Sequence, residues 1–235
     1  MKNTLACKNC KEENPCYALI CRKCKSYLRE RIYNIDLWKI LALLIESPGK
    51  AFTLIIQADH KNFIYLIMCL ASAKLFIDSI YLSLWTVSAG TIHENIIRNY
   101  LIILGSVFTL VLIFAIVITI INKLYNLKTR IRDNFAILTY SLLPYIFAFI
   151  ILFTVEVTVF GGNLFSKDPS VFSLKEFLAY TLLGFEIIII LWGIFLSAIA
   201  MYIQSKNIVY AIVVGFVFNL SLYYCLYLNS KILYR

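Results

Sequence analysis

From residue 63 onward the chain is dominated by five apolar stretches, at about 63–89, 100–121, 135–160, 178–203 and 208–228. Each is long enough for a helix to cross the ~30 Å hydrocarbon core, which takes about 20 residues. A helix also satisfies its own backbone polar groups where no water is available to do so. The stretches account for a hydrophobic content of 61%, well above the 45–50% or so of an ordinary soluble domain. The fold class expected is therefore an all-α membrane protein with five transmembrane helices. Three regions follow: a cysteine-rich head over 1–33, a mixed segment over 34–62 and the membrane domain over 63–235.

Charge gives an expected orientation. Residues 1–62 carry 11 of the 22 Lys and Arg, and the segment 122–134 adds Lys123, Lys128, Arg130 and Arg132 against Asp133. With an odd number of spans the termini lie on opposite sides. Placing the N-terminus inside puts most basic residues on the cytoplasmic side. A net charge of +9 on a soluble protein would suggest nucleic acid. Here the charges flank apolar spans, and topology accounts for them more simply. The first 30 residues are polar and charged, with no apolar core of a signal peptide, so targeting is expected from the first span.

The head contains Cys7-x2-Cys10 and Cys21-x2-Cys24. Four thiolates from two such pairs satisfy tetrahedral Zn2+. With ten residues between the pairs, almost no hydrophobic core can form, so metal must supply the folding free energy. A small zinc ribbon built on these four cysteines, with structural zinc, is expected, Cys16 being a bystander. Redox chemistry normally uses one CxxC on a thioredoxin-like scaffold, which has no counterpart here. Lys8, Lys11, Arg22, Lys23 and Lys25 surround the site with little aromatic interleaving. That fits a solvated cytoplasmic face better than a nucleic-acid footprint.

Residues 34–61 are apolar but interrupted at Glu46–Lys50. Pro48 suits the first turn of a new helix, with Ser47 before it as N-cap. Two amphipathic helices are predicted, about 35–46 and 48–58, each too short to span. They either lie in the cytoplasmic interface with Trp38 at headgroup depth or pack against the spans. Gly161-Gly162 and Asp168-Pro169 mark turns in the outer loop, and 204–207 marks a tight hairpin.

Ionisable residues inside spans are costly to bury and are candidates for function. Lys74 and Asp78, four apart, share a helical face and can neutralise each other. Glu156 lies near the outer end of its span, within reach of the interface. Glu186 is deeper and has no local partner, though Lys74 could serve. An interhelical contact is the simpler role for it, and an ion or proton path the alternative. Pro144 should kink the third helix, with Tyr140 and Ser141 available to the freed carbonyls. His60 and His93 form no HExxH, and no GxSxG, P-loop or GxxxG is present. No enzymatic activity is expected.

The layout resembles the Yip1 family of five-span membrane proteins, in a variant with an N-terminal zinc ribbon. Cys7, Cys10, Cys21 and Cys24 carry the likeness, with NIDLW at 34–38, SPGKAF at 47–52, DHKNF at 59–63 and YSLLPY at 140–145. The resemblance implies a cytoplasmic N-terminus and, in eukaryotic members, a part in membrane traffic with small GTPase partners. The chain is also similar to Arv1-like proteins of lipid and sterol homeostasis, but its spacing between CxxC pairs is shorter and SYLRERIYNID at 26–36 does not match their acidic-aromatic motif. The partners expected are membrane lipids and a cytoplasmic protein docked on the ribbon. A homo-oligomer stays open and nucleic acid is disfavoured.

Overall fold

The computed structural model describes residues 4–29, 34–86, 95–166 and 170–234. Among these, five helical segments are long and apolar enough to cross a membrane: Ile64–Ser83, Ile96–Leu124, Ile131–Phe165, Glu176–Ser205 and Ile208–Leu233. The sequence-predicted end of the first span, 87–89, falls outside the described residues. The outward faces of these helices remain apolar. Ile113, Ile120, Ile187, Leu191, Ile212 and Leu220 are each more than half exposed. So much exposed apolar surface is unfavourable in water and natural in lipid.

The chain divides into two compact units. The first comprises Met1–Ile64, Val111–Ser141 and Phe195–Phe216. It opens with strands β1 (Thr4–Ala6) and β2 (Glu13–Pro15), paired antiparallel. Helix α1 (Leu37–Glu46) starts at Asp36, whose carboxylate accepts a hydrogen bond from the Lys39 amide at 3.3 Å. Helix α2 (Pro48–Gln57) starts with Pro48 in its first turn. Ser47 precedes it without a side-chain capping bond. Ile40 and Leu44 of α1 are buried, as are Ala51, Phe52, Ile55 and Ile56 of α2. The α2 helix packs on α1 and on α5 (Ile131–Ser141).

The tight turn expected at 204–207 joins α9 (Glu176–Ser205) to α10 (Ile208–Leu233). Asn207 begins α10 by accepting a hydrogen bond from the Tyr210 amide at 3.0 Å. A Cβ on Gly215 would lie 2.7 Å from the Ala198 backbone nitrogen. The absence of a side chain there therefore sets how closely these stretches of α9 and α10 approach.

The second unit comprises Tyr65–Leu110, Leu142–Ile194 and Val217–Arg235. It holds α3 (Ile64–Thr86) and the first part of α4 (Ile96–Leu124). The third span, Ile131–Phe165, is interrupted just before Pro144, where the sequence predicts a kink. Helix α5 ends at Ser141, and α6 (Leu143–Phe147) restarts with Pro144 in its first turn. Proline has no N–H to donate and clashes with the preceding turn, so the helix breaks before it and begins again. Ser141 Oγ donates to the Leu138 carbonyl at 2.7 Å. The Tyr140 hydroxyl instead reaches the Asn62 carbonyl, also at 2.7 Å.

A π-helical turn follows at Ala148–Leu152, closed by the Phe153 amide bonding to the Ala148 carbonyl. Helix α7 (Phe153–Phe160) ends at Gly161, whose φ of 55° favours a residue without a Cβ. A 3₁₀ turn (Gly161–Phe165) and the short α8 (Val171–Leu174) complete the loop. The expected Asp168-Pro169 turn lies outside the described residues. Ala148, Leu152, Phe160, Leu164, Ala179 and Leu182 form an apolar cluster in this unit.

Candidate metal centre and intramembrane charge site

The two CxxC pairs fold into matching knuckles. Cys7 N–H bonds to the Glu12 carbonyl and its own carbonyl accepts from Lys11 N–H; Cys21 bonds likewise with Ser26 and Lys25. Lys11 and Lys25, one residue past each pair, both take positive φ, 58° and 57°. A side chain other than glycine is uncommon there, and its occurrence at the same place twice shows how closely the loops repeat. The four sulfurs lie within 4.8 Å of one another. Cys7–Cys24 and Cys10–Cys21 are each separated by 3.5 Å. Tetrahedral zinc with Zn–S bonds of about 2.3 Å needs sulfurs about 3.8 Å apart, so the cluster fits such an ion.

Polar neighbours support the sulfurs, as is usual around metal ligands. Ser26 Oγ lies 3.2 Å from Cys7 Sγ and 3.0 Å from Cys24 Sγ, and Asn14 Nδ2 donates to Cys21 Sγ at 3.5 Å. The Ser26 hydrogen bond, aided by the Cys10 amide, draws the Cys7 thiol down to about 6. Hydrogen bonding at the Glu12 backbone opposes the change at Cys10, yet burial and the neighbouring thiols push that group up to about 12. A divalent cation would displace the protons that these thiols carry. Cys16 is outside this sulfur cluster.

The cysteine knuckles are anchored within their own unit. Arg29 donates to the Tyr17 carbonyl at 2.9 Å, the Ala18 carbonyl at 3.3 Å and the Gln57 carbonyl at 3.0 Å. The Arg130 guanidinium lies 4.1 Å from the centre of the Tyr17 ring. Arg130 also grips Asp133 through Nε, at 2.8 Å. Asp133 is 1% exposed and pairs with Lys61 at 3.1 Å. Lys61 in turn donates to the Ile55 and Ile56 carbonyls. The last carbonyls of α2, which no amide of the helix can reach, are thereby satisfied by cations. Burial lowers the Lys61 pKa, with Asp133 opposing the shift. Sequence reading missed this network. Its one signal was Asp133, a lone acid among the four bases of 122–134.

In the second unit, Lys74 on α3 is completely buried. Its ammonium lies 2.5 Å from Asp78 Oδ1 and 2.5 Å from Glu186 Oε1 on α9. Glu156 of α7 does not reach out to the surface. It is 5% exposed and accepts a hydrogen bond from the Tyr81 hydroxyl at 3.3 Å. Asp78 Oδ2 is buried and has no hydrogen-bond partner among the described residues. Asp78, Glu156 and Glu186 line one cavity of about 420 Å³, together with Tyr81, Tyr223 and an extensive apolar wall. Sequence reading identified the four charges but neither tyrosine. Pro144 contributes no group to the cavity.

No family model, curated protein or solved structure matches the chain.

Proposed function

We propose that this is a multispanning membrane protein of the Yip1 type, without enzymatic activity, whose four cysteines hold structural Zn2+. The ribbon, with α1 and α2 at the cytoplasmic interface, is a docking surface for a protein partner. The five-helix domain organises membrane or supports membrane traffic, with the N-terminus in the cytoplasm and the C-terminus opposite. The observation that supports this reading best is the anchoring of the ribbon by Arg29 on Gln57 and by Tyr17 on Arg130. A knuckle held at two points presents a surface of fixed shape, as partner recognition requires. The test is Cys21→Ser in full-length protein. Metal analysis should show zinc in the parent and none in the variant. Photo-crosslinking from position 27, where Tyr27 beside the cysteine knuckles is exposed, should capture a discrete protein in the parent alone, while both proteins insert in membranes. Equal capture by the zinc-free variant would count against docking through the ribbon.

A second reading is favoured by the charged cavity: handling of a small solute or lipid by the five-helix domain, as Arv1-like proteins are linked to lipid and sterol homeostasis.

A further inference from the structure

The cavity of the second unit has an unbalanced charge. Three carboxylates, Asp78, Glu156 and Glu186, line it, and no Lys or Arg does. The nearest ammonium, Lys74, is already bonded to two of them. Anionic charge taken out of water must be offset by bound protons or by a cation. A bare metal ion fits poorly. Among the described residues only the four cysteines bring three or more ligand atoms close enough to share one. The cavity is also much larger than such an ion, and its walls are aromatic and aliphatic, including Tyr81, Tyr223, Phe160 and Phe172.

Aromatic faces attract organic cations through the negative charge of their π systems. Apolar walls with a few polar groups, in a volume of several hundred Å³, suit a molecule rather than an ion. We infer that this cavity binds a lipophilic ammonium ion, its cationic head at Asp78, Glu156 and Glu186 and its apolar body against the aromatic wall. This inference rests on the solute-handling reading and is independent of the ribbon.

The test is scintillation-proximity binding of tritiated tetraphenylphosphonium to the full chain in lipid nanodiscs, with empty nanodiscs as background. The competitors are 4-phenylbutylammonium and its neutral counterpart, 4-phenylbutanol. Binding should saturate, and the ammonium should displace the probe at roughly a tenth of the alcohol concentration or less. Glu156→Gln, which leaves both Lys74 pairs in place, should weaken binding. Ala179→Leu should weaken it by occupying space without altering charge. Equal competition by ammonium and alcohol would overturn the cation site while leaving solute handling standing. No saturable binding at all would overturn both. Parent-like binding by both variants would place the probe elsewhere and also overturn the inference.

Discussion

In the unit that carries the cysteine cluster, the buried Asp133 carboxylate meets two cations, Lys61 and Arg130. In the other unit, the buried Lys74 ammonium meets two carboxylates, and a third, Glu156, lines the same cavity. The first arrangement leaves its surplus cationic capacity useful, because Lys61 also satisfies carbonyls of α2. Nothing further need bind there, and the network reads as structural support for the cysteine knuckles. The second leaves an anionic surplus beside empty volume. The contrast suggests a general way of separating structural from functional charge in a membrane protein: ask whether the neighbours complete the balance.

The largest expected effect comes from breaking the completed network. Asp133→Ala strands Lys61, whose side chain is 2% exposed. Removing one partner of a buried pair costs about 3–5 kcal/mol. Thermal unfolding in detergent should show a marked loss, with the cysteine knuckles more open to protease. Stability close to that of the parent would show that the two cations find other partners.

A smaller, pH-dependent effect belongs to Lys61. Its folded-state pKa lies below its ordinary value of about 10.5, so the unfolded chain binds more protons between the two values. Stability should therefore rise with pH across that window, the cost of burying the charge being fully present below the folded pKa. Lys61→Met should flatten this rise relative to the parent. Matching pH profiles of unfolding for the two proteins would contradict it.

The smallest effect is expected at the incomplete network. Glu156→Gln removes one like charge and keeps the shape, so stability should change by less than about 1 kcal/mol or increase. A loss comparable to that of Asp133→Ala would mean that Glu156 is a structural partner, and the contrast between the units would fail.

The spans were legible because a bilayer demands long apolar runs, and periodicity needs only local sequence. The four cysteines were legible because metal-knuckle spacing is short. Helix ends were less so: α4 reaches from Ile96 to Leu124 where the apolar run covers 100–121, since helical hydrogen bonding continues past the last apolar residue. Lys74 and Glu186 could be named because charge in such runs is rare, and their contact across 112 positions could be expected because Glu186 has no partner on its own helix. The Tyr17–Arg130 and Lys61–Asp133 contacts join distant residues that lie outside the apolar runs, where charge is common and offers no such hint. Neither a cation on an aromatic ring nor a lysine across from an aspartate leaves a periodic trace in the chain.

The π-helical turn at Ala148–Leu152 carries one more residue than an α-helical turn would. The wider turn takes in that extra residue over nearly the arc that four residues cover in an α-helix at about 100° each, so α7 continues with almost the phase it would have without it. Deleting a single residue there would tighten the turn to α-helix and leave Glu156 on the side that faces the cavity. The carboxylate is thus held in phase by the turn that absorbs the added residue, and a chain with a gap of one position at that turn would keep the site.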